Sequence, residues 1–425
     1  MQFSPDFVSL TFDWALFDWS GILYGAGLAA GATGLASVFI PEHPDNVDLD
    51  AVKKRVAELE QSATRTLEQN DELATLFTNW ALTLFDEGAE LNEIVSLFGK
   101  AEAILQTTLA QGDDDEVRRQ LGSVYLNWAV TLNEYDDLKS AIAYYQKGLE
   151  TFKPLDDAGD ADAKYDVAGI KLNMGTAYRE LGELEKARAA LDESFLAYRA
   201  VEKIGVAETR LFMAKVSVHQ GNILFDMGES LDKVIDAYNR AMRLYVEVIE
   251  DCNQTELERD LANVLIDRCM ASYEDCLDRK FDTAEERDKR IADVMLDISR
   301  GIELLEKQFG AGNMIARYDL FHAVTLQGKI LCDESRYAEA QQSLDRAVTE
   351  FADLCEGDDD MFLMQMAMAY ASRAIVHLGL GKKDLSEQDC LKGSELINKL
   401  LHSDSDDEEI QELKQQFQML REQLK

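Results

Sequence analysis

The stretch NWALTL at residues 79–84 recurs as NWAVTL at residues 127–132. Each copy is followed, about a dozen residues later, by a second apolar stretch: IVSLFGKA at residues 94–101 and AIAYYQKG at residues 141–148. Self-similarity at a fixed spacing is typical of repeat architectures, in which each unit buries its apolar face against its neighbours. The sequence therefore predicts a series of helix pairs and indicates a binding scaffold, although it does not name the ligand.

The length and the proline content favour an all-α solenoid over a row of β-domains. At 425 residues the chain is too long for a single ordinary core. Only four prolines occur, and only Pro154 lies beyond residue 45. Long helices joined by tight turns suit such a composition, because proline inside a helix removes a backbone donor and interrupts the helix.

The charge and the cysteines limit the classes of partner and compartment. The chain holds 81 acidic and 43 basic residues, a net charge of −38. Such a surface repels phosphate backbones and anionic lipid headgroups, so we expect no nucleic acid partner. The six cysteines are scattered and form no CxxC pair, which is typical of reduced thiols in a cytosol-like compartment.

No catalytic or metal-binding motif is recognisable in the sequence. The five histidines form no HExxH, and neither a phosphate-binding loop ending in GKS or GKT nor a GxSxG elbow occurs. The abundant carboxylates are expected on solvated helix faces, which is not the environment of catalytic acids. We therefore predict a protein without enzymatic activity, cofactor or metal.

Small and large residues alternate at the repeating positions. The third unit, NMGTAYRELGELEKARAALDES at residues 173–194, shows this most clearly. Small residues let two helices approach closely, while large ones fill the space beside them. The signature residues are Trp80, Ala81, Trp128, Ala129, Gly175, Tyr178, Ala187, Gly221, Gly328, Ala340 and Ala347.

This pattern resembles the tetratricopeptide repeat, a helix-turn-helix unit with a small residue and an aromatic on its first helix and an Ala-x3-aromatic-x2-Ala motif on its second. The resemblance covers roughly residues 72–400. The small residues Ala81, Ala129, Gly175 and Gly221 are 48, 46 and 46 residues apart, more than the usual spacing of about 34. Each helix must therefore be longer, and such units resemble those of the kinesin light chain type.

The resemblance implies a right-handed superhelical solenoid of about seven antiparallel helix pairs with capping helices. We expect an N-terminal capping helix at residues 48–70, the solenoid at residues 71–402, and an acidic turn with a C-terminal capping helix at residues 403–425. The fifth unit departs from the pattern, because FDTAEERDKRIA at residues 281–292 lengthens its internal connection. The seventh unit matches the signature in residue size only.

Residues 1–47 form an apolar segment rich in glycine and alanine. Within it, residues 19–40 are uncharged and are long enough to cross a membrane as a helix. The first basic residues, Lys53, Lys54 and Arg55, follow this candidate anchor and favour a C-terminal body in the cytoplasm. The alternatives are an apolar flap over the open end of the solenoid and a segment that joins copies into a homo-oligomer.

One position of the first helix carries a polar side chain in four successive units. Asn79, Asn127, Asn173 and His219 each lie two residues before a small signature residue. The resemblance implies that this position faces a concave groove, where an amide can donate to and accept from a peptide backbone. The alternative is that each asparagine bonds to a neighbouring helix.

Charged residues flank these side chains. Lys215 lies one turn before His219 and is the only match to the basic residues that clamp a terminal carboxylate in chaperone-tail-binding members of the family. A line of acids, Asp86, Glu134, Glu180 and Asp226, follows on the same helices and suits a basic segment. The sequence thus predicts a scaffold for an extended neutral or basic peptide, with or without a membrane tether. The alternatives are a soluble self-associating adaptor and a structural component of an envelope or filament.

Overall fold

The computed structural model describes residues 48–62, 64–202, 208–355, 360–403 and 408–424. The apolar N-terminal segment, with the candidate anchor at residues 19–40, lies outside the described residues. Within the described ranges, no helix is both long enough and apolar enough to cross a bilayer.

Sixteen α-helices and no strand make up the described part of the chain. The chain divides into two compact units. One ends at Val248, and the other comprises Ile249–Lys425. The first unit contains α1 (Leu49–Glu60), α2 (Leu67–Asp86), α3 (Leu91–Leu109), α4 (Asp115–Glu134), α5 (Leu138–Asp157), α6 (Ala161–Glu180), α7 (Leu184–Glu202), α8 (Thr209–Asp226) and most of α9 (Leu231–Cys252). The second contains α10 (Glu258–Asp278), α11 (Ala284–Gly310), α12 (Ile315–Asp333), α13 (Tyr337–Glu350), α14 (Asp360–Gly379), α15 (Lys383–Ser403) and α16 (Glu408–Leu424).

Consecutive helices from α2 to α15 form seven helix pairs, and each pair packs on the next within its unit. Helix α1 covers one side of α2, and α16 packs on α15 in the same way. Apolar side chains of α1 and α16, such as Val56 and Phe417, are buried in these contacts. The predicted all-α solenoid of paired helices with capping helices is confirmed.

The small signature residues lie where paired helices touch. A Cβ added to Gly175 would lie 2.6 Å from the Leu191 side chain, and one added to Gly328 would lie 2.5 Å from Leu344. Such distances are too short for real contacts, so glycine is what allows the close approach. The five signature alanines, Ala81, Ala129, Ala187, Ala340 and Ala347, are fully buried. Trp128 is buried as well, whereas Trp80 and Tyr178 are half-buried.

Six of the seven pairs share one kind of turn. Each turn has a single residue in the left-handed conformation, namely Gly88, Asp136, Gly182, Gly228, Ser335 or Gly381, with φ between 58° and 73°. The amide of the next residue then donates to a carbonyl of the last helical turn, for example from Glu183 to Tyr178 at 2.8 Å, which ends the helix. The fifth pair instead has the longer connection that the sequence predicts, and Thr283 caps the start of α11.

Side-chain caps determine where the first helices begin. The carboxylate of Asp114 accepts from the amides of Glu116 and Val117 at 2.9 and 3.1 Å at the start of α4. Asp160 accepts from the Ala163 amide at 2.8 Å at the start of α6. These bonds satisfy amides that have no partner inside the helix. Because both caps lie at the same place in their repeats, the polar residues of α4 and α6 follow the helix start at equal distances: Gln120 lies six residues after Asp114, and Asp166 six after Asp160.

Candidate functional site

The first helices of the first four pairs, α2, α4, α6 and α8, lie next to one another in the N-terminal unit. Each presents three residues spaced seven apart, which is about two helical turns, so that the three share one face. We call these twelve residues the inner stripe. The three residues of each helix, in chain order, form its first, middle and third levels. They are Glu72, Asn79 and Asp86 on α2; Gln120, Asn127 and Glu134 on α4; Asp166, Asn173 and Glu180 on α6; and Phe212, His219 and Asp226 on α8.

The middle level of the inner stripe contains the four polar residues that the sequence places in register. Asn79 is half-buried and Asn127 is 7% exposed, whereas Asn173 is fully buried and His219 is 3% exposed. The Asn173 amide lies beside the hydroxyl of Tyr145 on α5. Burial therefore deepens from α2 to α6, and Asn79 is the least buried of the four.

Two carboxylates at the third level lie in a partly dehydrated environment. Burial raises the pKa of Glu134 above the ordinary value of a glutamate. Burial also raises the pKa of Glu180, and the negative charges of Asp136 and Glu134 raise it further. Although Glu180 is exposed as a residue, enough protein surrounds its carboxyl group to cause this shift. Neither glutamate forms an ion pair with any described residue.

The other two acids of the predicted line have different surroundings. Asp226 accepts hydrogen bonds from Nε and Nη2 of Arg179, at 2.5 and 3.2 Å. Its charge is thus compensated from the neighbouring first helix. Asp86, at the end of α2, is exposed. The structure therefore brings Glu134 and Glu180 together as acceptors and commits Asp226 to an internal ion pair.

The first level of the inner stripe holds a residue that the sequence reasoning missed. Burial raises the pKa of Asp166 to about 7, and the nearby charge of Arg119 only partly opposes this shift. Arg119 does not neutralise it, because its guanidinium donates to both carboxylate oxygens of Asp160, at 3.1 and 3.0 Å. The spacing of seven residues from Asp166 to Asn173 is the signal that could have revealed it.

Lys215 and the tryptophans take part in aromatic contacts. The Lys215 ammonium lies 5.2 Å from the centre of the Phe212 ring, a distance at which the ring face attracts a cation. Trp128 stacks on Tyr144 with ring centres 4.0 Å apart, and Lys147 lies 4.2 Å above the Tyr144 ring. The stack of Trp128 on Tyr144 joins α4 to α5 within the second pair, so Trp128 is a packing residue, as the sequence predicts.

The chain is similar to known proteins in fold and not in sequence. No protein-family model matches it, and no curated protein is significantly similar to it. One similar solved structure is a STAND signal-transduction ATPase with a tetratricopeptide repeat sensor from Pyrococcus horikoshii, at 16% identity and a TM-score of 0.52. The match covers 87% of this chain and 49% of that protein.

Two further similar structures are smaller proteins. BtubC (BKLC) from P. vanneervenii matches at 15% identity with a TM-score of 0.46, over 62% of this chain and 94% of that one. The apo form of RapI matches at 12% identity with a TM-score of 0.47, over 77% of this chain and 98% of that one. At such identities these similarities concern the arrangement of helices alone.

Proposed function

From the tetratricopeptide-repeat fold of this chain, we propose that the protein is a non-catalytic interaction scaffold that holds an extended peptide along the inner stripe. The observation that carries the proposal is the register of polar side chains on four adjacent first helices, with Glu134 and Glu180 lacking an ion-pair partner among the described residues. An extended chain presents backbone donors and acceptors along its length. Polar groups of this face that reach the surface, such as the half-buried Asn79 amide, can bind such a chain with little dependence on its sequence.

The charge of the site favours a neutral or basic peptide. The whole chain has a net charge of −38, so an acidic ligand would be repelled during approach as well as at the surface. Glu134, Asp166 and Glu180 are acids of the stripe that form no ion pair with a described residue. A basic side chain of the ligand would supply the missing positive charge.

Site-specific photocrosslinking tests whether a polypeptide docks on this face. A photoreactive phenylalanine analogue replaces Thr75, an exposed residue of α2 one turn before Asn79. A matched variant carries the analogue at Asn92, an exposed residue of the second helix α3. We expect a covalent adduct with a partner polypeptide from position 75 only, and a synthetic peptide from the crosslinked segment should compete with it.

The other outcomes discriminate among the alternatives. Equal labelling from both positions, or none from position 75, would overturn the proposed docking face. An adduct between two copies of this chain would favour the self-associating adaptor. An ordered array of such adducts would instead favour a structural component of an envelope or filament.

We include in the proposal that residues 1–47 tether the scaffold to a membrane, with the body in the cytoplasm. Support comes from the uncharged stretch at residues 19–40 and from the basic residues that follow it. Fractionation of cells that express the chain with or without residues 1–45 tests the tether. Membrane pelleting that is lost on truncation supports it, and an unchanged soluble pool rules it out.

A further inference from the structure

Arg240 lies on the second helix α9, whereas the inner stripe occupies the first helices. Its Nε donates to the Ser217 hydroxyl at 3.0 Å, and its Nη2 donates to Gln220 Oε1 at 2.6 Å. Both partners belong to α8. The guanidinium also lies 4.9 Å from the centre of the Phe195 ring on α7, a distance at which the ring face attracts a cation. Three helices of the N-terminal unit therefore hold this side chain in one orientation.

The bonded partners of Arg240 are all uncharged. Gln220 is itself held by Asp192, whose carboxylate accepts from the Gln220 Nε2 at 2.7 Å. Burial lowers the pKa of Arg240, and the charges of Asp192 and Asp236 oppose this shift only in part. Neither of these acids forms an ion pair with Arg240. The half-buried guanidinium thus has no bonded counter-charge among the described residues.

One end of the Arg240 guanidinium remains available for a ligand. Nε and Nη2 lie along one edge of the planar group, and both hydrogen bonds to α8 use that edge. Nη1 donates to no described residue. The end formed by Nη1 and Nη2 therefore still offers N–H groups, and two parallel N–H groups match the two oxygens of a carboxylate.

Two further arginines lie near Arg240. Arg243 follows it by about one turn on α9, and Arg199 follows Phe195 by about one turn on α7. Both are exposed, and neither forms an ion pair with a described residue. We call Arg199, Arg240 and Arg243 the arginine site. In a chain with 81 acidic residues, positive charge left unpaired by the described residues in this way indicates a role in binding.

We propose that the arginine site binds a carboxylate side chain from an acidic segment of a partner polypeptide. The carboxylate accepts two hydrogen bonds from the end of the Arg240 guanidinium, and the charges of Arg199 and Arg243 add to the attraction. A carboxylate suits the site better than a phosphate, because Asp192 and Asp236 repel a single charge less than a double one.

This inference goes beyond the proposed function. The first helices would hold a neutral or basic peptide, and the second helices α7 and α9 would hold an acidic segment, so that the scaffold brings two partners together. The net charge of −38 slows the approach of an acidic segment. At about 0.15 M salt, however, charges more than about 8 Å away are largely screened. Groups beside Arg240 therefore determine whether the segment binds after contact.

The test uses fluorescein-labelled hexaglutamate, titrated into the full chain at about 0.15 M salt and read by fluorescence anisotropy. Arg240→Lys keeps the positive charge and removes the planar group that binds a carboxylate through two hydrogen bonds. Arg300→Lys is the matched control, since Arg300 is an exposed residue of the second helix α11 that forms no ion pair with a described residue. Thermal melting followed by circular dichroism checks that both variants are folded.

We expect Arg240→Lys to bind hexaglutamate at least about fivefold more weakly than the unsubstituted chain, and Arg300→Lys to bind equally well. Equal affinities of the two variants, or no saturable binding by the unsubstituted chain, overturn the site. Glutarate should displace the probe more effectively than inorganic phosphate at the same concentration, and the reverse order overturns the choice of a carboxylate. The crosslink from position 75 reports on the inner stripe alone, so the two proposals fail separately.

Asp192→Asn tests the site with every arginine in place. The asparagine oxygen can still accept from Gln220, whereas the negative charge beside the guanidinium is lost. The affinity for hexaglutamate should therefore rise by at least about twofold. Glu150→Gln, which removes one charge from an exposed position on α5, should raise the affinity by less than about 1.5-fold. No gain from Asp192→Asn, or a gain equal to that of the control, overturns the site.

Discussion

Replacement of Asp166 by asparagine should stabilise the protein in a manner that depends on pH. Burial holds the pKa of Asp166 near 7, compared with 3.8 for an unperturbed aspartate. Because the native carboxyl keeps its proton to a higher pH than the unfolded one, the free energy of unfolding falls as the pH rises from about 4 to about 7. Above about pH 7 the loss is complete, and the native state then carries a buried charge.

The size of the effect follows from the shift. A rise of about three pKa units corresponds to roughly 4 kcal/mol, at about 1.4 kcal/mol per unit. The amide of an asparagine also needs partners, so we expect Asp166→Asn to raise the free energy of unfolding by about 2–4 kcal/mol at about pH 8. The difference from the unsubstituted chain should vanish at about pH 3 and below, where the carboxyl is largely protonated in both states.

Urea unfolding followed by tryptophan fluorescence measures this effect in the relevant unit. Of the four tryptophans, Trp80 and Trp128 lie in the N-terminal unit with Asp166, Trp14 and Trp19 precede the described residues, and residues 249–425 contain none. Glu150→Gln, an exposed change on α5, serves as the control for the removal of one negative charge. Equal stabilisation by both variants, or a gain that does not change with pH, would refute the reasoning.

Four other substitutions test the packing and the turns. Gly122→Ala should destabilise by about 1–3 kcal/mol in urea unfolding, because a Cβ there would lie 2.5 Å from the buried Phe152 ring; Gly99→Ala, whose Cβ meets only an ordinary contact at 3.8 Å, should stabilise by up to about 1 kcal/mol. Trp128→Ala should cost about 3–5 kcal/mol, seen as a lower urea midpoint with the helical circular dichroism of the folded state retained. Ser335→Gly relieves a φ of 58° in a turn, so it should raise the free energy of unfolding by about 1 kcal/mol and with it the melting temperature. An unchanged or lower melting temperature would contradict this.

Much of the fold could be predicted from the sequence, because close packing of helices needs small residues at fixed places. Ala81 and Ala129 are fully buried at such places, and a Cβ added to Gly175 or Gly221 would lie only 2.6 or 2.7 Å from a side chain of the paired helix. The register of the inner stripe follows from the same spacing. Each repeat therefore carries the small residues that specify its own helix pair, and the order of the repeats in the sequence gives the order of the pairs.

The state of each site residue could not be predicted in the same way. The burial of Asn173 depends on how α6 packs against α5, which the spacing of residues does not specify. The pairing of Asp226 with Arg179 joins residues 47 positions apart, about one repeat spacing. With 81 acidic residues in the chain, composition alone does not show which acid meets which base. Of the four predicted acids, Asp226 is therefore paired with Arg179, whereas Glu134 and Glu180 form no ion pair with a described residue.

The inner stripe also sets a minimum length for a ligand. Asp166 and Glu180 are fourteen residues apart on α6, which corresponds to about 21 Å along the helix axis. An extended polypeptide covers that distance in about six residues, at roughly 3.4 Å each. A chain that runs along α6 and reaches from its first level to its third must therefore have at least about seven residues, and shorter peptides can contact only one end.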